Sequence, residues 1–188
     1  MNTSSMILAA ISFAQAQEVP PLPPLRGDAA NLKDTMKFIE DKLPSEVNYM
    51  VYTHNNIAGT DGSLKRSFEV SAVTADASSC SIEYHVWYDS GKNNLTEQNP
   101  KLHLKQVRDV VLTQMDVEIQ QANARAGRPE LSVKVEPPIY LVQVKVELTN
   151  GKTGSVLLNF YDQTLSERVS KALQHAVELC GGGKTETF

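Results

Sequence analysis

Apolar residues recur along this chain at two spacings: three to four residues near both ends of the patterned region, and two residues in between. Near the C-terminus the helical spacing defines one apolar stripe, which consists of Leu165, Val169, Ala172, Leu173, Ala176, Val177 and Cys180. Thr164 and Glu167 have the spacing of a capping box, which marks a helix start. Gly181 can adopt the positive φ that ends a helix. The pattern predicts an amphipathic C-terminal helix that covers a hydrophobic surface.

A second helical pattern occupies residues 29–43, before the region of alternating residues. Its apolar positions share one face and are Leu32, Met36, Ile39 and Leu43. Pro44 follows directly, and the residue before a proline disfavours helical backbone. An N-terminal helix is therefore predicted to end at this proline.

Between the two helices the apolar residues alternate with polar ones, which predicts β-strands. The predicted strands are 48–54, 66–75, 80–88, 102–107, 110–119, 142–148 and 156–160, with a possible extension at 131–135. Asn150-Gly151 is a hairpin turn signal between the last two strands. Residues 120–130 are predicted to be a polar loop, with a helical start as the alternative. The pattern predicts an α+β fold, in which an antiparallel meander of about seven strands forms a partly open barrel. The C-terminal helix would cover its open end.

Composition limits the classes of protein. The 188 residues are 41 % hydrophobic, enough for one core, and one domain is expected. The formal net charge is −4 and the sequence has no basic stripe, which argues against a nucleic-acid partner. No apolar run approaches the length of about 20 residues that a membrane span needs.

The first residues have the pattern of a signal peptide. Residues 6–13 form a short apolar segment, and Ala14-Gln15-Ala16 is a small-x-small cleavage signature. The predicted organisation is a signal peptide at 1–16, a Pro-rich linker at 17–28, a single α+β domain at 29–180 and a flexible tail at 181–188. This pattern indicates export to a bacterial periplasm or the extracellular space. The alternative is an N-terminus that is disordered or packed into the core.

Export would change the meaning of the two cysteines. In an oxidising compartment an even number of cysteines suggests disulfides, and Cys80 and Cys180 allow one pairing. Closing a loop of about 100 residues would contribute about 4–5 kcal/mol in the chain-entropy model. Two separate buried thiols are the alternative.

The order of strands and helix resembles the pleckstrin-homology-like superfold, which has seven strands and a C-terminal amphipathic helix. Segments 35–43 and 168–180, together with Cys80, also resemble a group of small exported bacterial proteins of unknown function. The resemblance implies no catalytic residue. Domains of this superfold bind peptides, phosphoinositides or other proteins. The phosphoinositide-binding type has a basic loop between its first two strands, whereas residues 55–64 are neutral to acidic, so lipid head-group binding is not expected.

The sequence contains no motif that identifies a catalytic, metal or cofactor site. A G-x-S-x-G elbow, an HExxH pair and a Gly-rich phosphate loop are all missing. We therefore predict no enzyme activity and no cofactor. The one candidate is a partner-binding group made of His85, Trp87 and Asp89, which share one side of a predicted strand. Either Trp87 points outward as an interaction anchor, or the first helix packs over it.

The leading hypothesis is an exported, non-enzymatic, disulfide-bonded module that binds a protein or peptide in the cell envelope. A carrier of a small apolar ligand, bound in a barrel pocket, is the first alternative. The second alternative is an enzyme whose site is assembled from distant polar residues and has no recognisable motif.

Overall fold

A computed structural model describes residues 28–54, 61–89, 95–148 and 151–183 of the chain. The predicted signal peptide, the Pro-rich linker up to residue 27 and residues 184–188 lie outside this description. The helices are α1 Asp28–Lys42, α2 Met115–Arg125 and α3 Gln163–Leu179. The strands are β1 Ser45–His54, β2 Asp61–Asp76, β3 Ser81–Asp89, β4 Leu95–Gln98, β5 Lys101–His103, β6 Val107–Gln114, β7 Ser132–Glu136, β8 Tyr140–Glu147 and β9 Thr153–Phe160. No helix in these ranges is long and apolar enough to cross a membrane.

The strands form two antiparallel sheets. The six-stranded sheet has the order β4-β3-β2-β1-β7, with β5 also paired to β3, and the three-stranded sheet has the order β6-β8-β9. Across the described ranges no strand pair joins the two sheets, so they do not close into a barrel. The α+β class and the two terminal helices are confirmed, but a single meander of about seven strands is not. A 3₁₀ turn at Leu104–Gln106 interrupts the predicted strand 102–107 and separates the two sheets along the chain.

The C-terminal helix packs its apolar stripe on the three-stranded sheet and against α1, which in turn packs on β2 of the six-stranded sheet. Val169, Leu173 and Ala176 of α3 have no measurable exposure to solvent. They belong to one core cluster with residues of α1 and of both sheets, among them Met36, Ile39, Phe68, Val70, Ile82, Val142, Val144 and Leu158. Burial of this stripe is the main force that holds the helix against the sheets, since each fully buried aliphatic side chain stabilises the fold by about 1.5–3 kcal/mol.

The predicted strand 110–119 is wrong in its second half, because β6 ends at Gln114 and α2 begins at Met115. Asp116 lies in the first turn of α2, where the helix dipole favours negative charge. Met115 and Ile119 are four residues apart, so a helix places both on one side. Both contact a second, smaller apolar cluster that also contains Val47, Tyr49, Val51, Val133, Val135, Ile139 and Leu141.

Of the two predicted ends of α3, only the C-terminal one is correct. Asp162 is the N-cap, and its side chain accepts a hydrogen bond from the Leu165 N–H at 3.0 Å, so the predicted capping box of Thr164 and Glu167 is wrong. An aspartate is as good an N-cap as threonine. At the other end Gly181 has a φ of +74° and ends the helix as predicted.

A disulfide links Cys180, at the end of α3, to Cys80, in the turn before β3. The Cα atoms are 5.8 Å apart and 100 residues separate the two cysteines in sequence. Asp76 organises this turn: its carboxylate accepts hydrogen bonds from the Ser78 N–H at 2.8 Å and from the Ser79 hydroxyl at 2.6 Å. These bonds, led by that of Ser79, lower the pKa of Asp76 from 3.8 to about 2. The predicted pairing of the cysteines is confirmed.

Candidate interaction surface

The three residues that the sequence suggested as a partner-binding group, His85, Trp87 and Asp89, lie on the outer face of the six-stranded sheet. Side chains alternate along β3, so Ile82 and Tyr84 are buried in the main core while His85, Trp87 and Asp89 point to the other side and are partly exposed. Helix α1 packs against the inner face, where Met36 and Ile39 share the core with Phe68 of β2. The interpretation in which the first helix packs over Trp87 is therefore wrong.

Strand pairing places Trp87 in a row of acidic residues. Glu69 of β2 lies directly opposite Trp87 on one side, and Glu97 of β4 lies directly opposite it on the other. Glu46 of β1 lies opposite Glu69 and continues the row across a fourth strand. Residues that are directly opposite in an antiparallel pair have Cβ atoms about 4.5–5.5 Å apart. The single tryptophan of the chain is thus in contact range of two carboxylates.

His85 is held in place by hydrogen bonds on both sides of its ring. Its Nε2 lies 2.8 Å from Oε1 of Glu97, and its Nδ1 lies 3.2 Å from the Ser71 hydroxyl. The imidazole connects β2, β3 and β4 next to Trp87. Ser71, His85 and Glu97 thus form a hydroxyl–imidazole–carboxylate chain, the set of groups found in a catalytic triad, but the chain lies on the sheet surface and none of the three residues lines either cavity described below.

An exposed leucine borders Trp87 and was missed in the sequence. Leu95 of β4 lies opposite Asp89 and is 60 % exposed, the highest value among the large apolar side chains of the described ranges. The strand β4 has only four residues and shows no alternation, so periodicity did not identify it. The outer surface formed by these residues is called the Trp87 face and consists of Glu46, Glu69, His85, Trp87, Asp89, Leu95 and Glu97.

Several acidic side chains on the strands have a cationic partner within the described ranges. The ion pairs are Glu83 with Lys101, Glu97 with His85 if the ring is protonated, Asp109 with Lys145, Glu136 with Lys134 and Glu147 with Arg108. Asp89 also has an interaction partner. Glu46 and Glu69 differ, because neither makes an ion pair or hydrogen bond with a side chain in the described ranges. Like charges directly opposite each other destabilise a sheet, whereas opposite charges contribute about 0.2–1 kcal/mol.

Neither a metal-binding cluster nor a free thiol is present in the described part of the chain. It contains no group of three or more His, Cys, Asp and Glu side chains that could hold a metal ion. Both cysteines are in the disulfide, so neither offers a thiolate nucleophile.

Two open cavities lie away from the Trp87 face. A groove of about 570 Å³ runs beside β1, β2 and β7 and is lined by Tyr52, Thr53, Gly62, Ser63, Ser132, Val133, Lys134 and Glu136. A notch of about 210 Å³ between α3 and β6 is lined largely by polar residues, including Arg108, Asp109 and Gln174. Pockets for small apolar ligands are lined mainly by hydrophobic and aromatic side chains. Neither cavity has that lining.

Comparison with known proteins finds no match, whether the chain is scanned against protein-family models or searched against curated proteins and solved structures. The Trp87 face is therefore interpreted from its own geometry.

Proposed function

We propose that this protein is an exported, non-enzymatic module that binds a protein or peptide in the cell envelope through the Trp87 face. The observation that carries the proposal is the position of the single tryptophan, partly exposed on a sheet face that none of the helices in the described ranges covers. Tryptophan is enriched among the residues that contribute most to protein–protein binding. The inner face of the same sheet already supplies the core, so the fold does not need an aromatic side chain on the outer face.

Two further observations support parts of this proposal. The disulfide between Cys80 and Cys180 is consistent with an oxidising compartment and hence with export. Two antiparallel sheets that share one core with a C-terminal helix fit a pleckstrin-homology-like architecture, which we propose as the finer description of the fold. Such domains use one scaffold for many partners, so the partner follows from the surface and not from the fold.

Site-directed photo-crosslinking in the native host tests the proposal. A photoreactive amino acid at Leu95 lies on the Trp87 face, and the matched control at Leu157 of β9 is 41 % exposed on the other sheet. We expect a discrete protein adduct from position 95 and none of the same mass from position 157. Trp87→Ala should reduce the adduct at least tenfold, since truncation of an anchor residue costs about 2 kcal/mol or more of binding free energy.

Equal adducts from the two positions, or an adduct that Trp87→Ala leaves unchanged, would contradict the proposal. Turnover of a substrate by the purified protein on a broad hydrolase panel would contradict the non-enzymatic part of it. That activity would have to disappear on substitution of a strand histidine such as His85, which separates it from a contaminant.

A further inference from the structure

We infer that the segment bound by the Trp87 face is positively charged, with a lysine or arginine side chain placed over Trp87 and against the carboxylates of Glu46 and Glu69. This inference rests on the proposed function and adds the chemistry of the partner. The partner we infer is an extended basic segment of a protein. Its positive charge is complementary to the acidic row that crosses β1, β2, β3 and β4 on both sides of Trp87.

The first argument is the uncompensated pair of Glu46 and Glu69. Their side chains are directly opposite on the outer face, a placement that raises the free energy of the isolated sheet. Other strand carboxylates in the described ranges, such as Glu83 and Asp109, face a lysine on the neighbouring strand. A bound cation would give Glu46 and Glu69 the same compensation. Relief of the repulsion between Glu46 and Glu69 would then contribute favourably to the free energy of binding.

The second argument is the aromatic ring beside these carboxylates. A lysine or arginine over the face of a tryptophan is attracted by the ring quadrupole, and the attraction strengthens when water is excluded. Trp87 has Glu69 on one side and Glu97 on the other, so a cation over the ring also meets carboxylates. The aliphatic stem of the same residue can contact Leu95, which is 60 % exposed.

The chain itself does not supply this cation within the described ranges. On the outer face, the positions that surround the row are Asn48, Ser67, Ser71, His85, Asp89 and Leu95. The nearest lysine on this face of β2 is Lys65, four residues from Glu69, which is about 13 Å along a strand. A direct ion pair across that distance would need both side chains extended towards each other along the strand, and no such pair is present in the described ranges.

Other occupants fit the observations less well. A divalent cation needs several convergent oxygen ligands, and no group of three or more acidic or histidine side chains in the described part of the chain is placed for one. A second copy of the protein, docked face to face, would bring two acidic rows together and repel. A basic segment satisfies both the charge and the aromatic ring.

Intrinsic fluorescence gives a direct test, because Trp87 is the only tryptophan in the chain. The probe is a peptide of about ten residues with alternating lysine and alanine and blocked ends, and the matched control peptide has glutamate in place of lysine. We expect the lysine peptide to change the Trp87 emission in a saturable way and the glutamate peptide to leave it unchanged. Added salt should weaken this binding.

Matched charge variants separate this site from general electrostatic attraction. Glu46→Gln/Glu69→Gln removes two charges from the face, and Glu83→Gln/Glu147→Gln removes two charges from carboxylates that already have cationic partners. We expect about a tenfold increase in Kd for the first double variant and less than a twofold increase for the second.

The remaining outcomes overturn the inference. Equal weakening by both double variants would show attraction by net charge alone. If the lysine peptide does not bind, or if both peptides bind equally, the inference of a basic partner is contradicted. The crosslinking result at Leu95 would still decide the proposed function. Saturation of the same emission change by calcium ions alone would indicate a metal site. A protein dimer in sedimentation that Trp87→Ala dissociates would make a second copy the occupant.

Discussion

The outer face of β3 differs between its two ends. At the first end Glu83 lies opposite Lys101 of β5, and the two side chains form an ion pair. Four residues further along the same face, Trp87 lies opposite Glu69 and Glu97. Both ends face water and both rest on the same core, so the demands of folding are similar. Charge pairing suits a surface that only has to be soluble, whereas the Trp87 end has a composition that folding does not require.

The two ends also differ in how they are held. The Glu83 end follows the turn that contains Cys80, which is bonded to α3 and ordered by the Asp76 carboxylate. The Trp87 end depends on strand pairing and on the hydrogen bonds of His85 to Ser71 and Glu97. The Glu83 end therefore has a covalent restraint close to it that the Trp87 end lacks.

Among the changes that test the difference between the two ends of β3, loss of the disulfide should lower the stability of the protein most. We expect Cys80→Ala/Cys180→Ala to lower the free energy of unfolding by about 4–5 kcal/mol, because the closed loop spans 100 residues of the unfolded chain. Denaturant unfolding, followed by the emission of Trp87, measures the loss. Amide hydrogen exchange should show a greater loss of protection at Ser81 and Glu83 than at Trp87.

Reduction of the wild-type protein is the matched control, since neither cysteine of the chain is free. A small-molecule reductant should produce the same loss of stability and should leave the alanine variant unchanged. An unaltered denaturation midpoint in both experiments would show that the link between α3 and the turn does not stabilise the fold.

The sequence predicted those parts of the fold that follow from local periodicity. Helix α1, helix α3 and the hairpin of β8 and β9 have long, regular apolar patterns, and the structure contains all three. The cysteine pairing was predicted from the number of cysteines and from the expectation of an oxidising compartment. Division into two sheets could not be predicted, because it depends on the short turn at Leu104–Gln106 and on which strands meet after long separations in sequence.

The candidate site was predicted in part for the same reason. Alternation along β3 placed His85, Trp87 and Asp89 on one side, and the structure confirms that shared side. Glu46, Glu69 and Leu95 come from three other strands, and their positions beside Trp87 depend on register, which no local pattern encodes. The direction of Trp87 was undecided in the sequence because it depends on which face α1 covers.

The Asp76 carboxylate should have a smaller effect than the disulfide, because its hydrogen bonds lie in an exposed turn. Asp76→Asn removes the charge that accepts from Ser78 and Ser79. Since the pKa is lowered from 3.8 to about 2 in the folded protein, the contribution to stability is complete above about pH 4 and is lost as the pH falls to 2. Wild type and variant should therefore differ above pH 4 and converge near pH 2 in thermal unfolding. A difference that grows on acidification would contradict this assignment.

The smallest expected effect comes from two conservative substitutions, and it is also the most direct test of the comparison. We expect them to change the free energy of unfolding in opposite directions. Glu83→Gln removes an ion pair with Lys101 and should destabilise the protein by about 0.2–1 kcal/mol, whereas Glu69→Gln relieves repulsion from Glu46 and should stabilise it by a similar amount. Both differences should shrink in high salt because the charges are near the surface. Parallel denaturation curves of the two variants measure them under identical conditions. If Glu69→Gln destabilises as Glu83→Gln does, then Glu69 serves the fold and the two ends of β3 are equivalent.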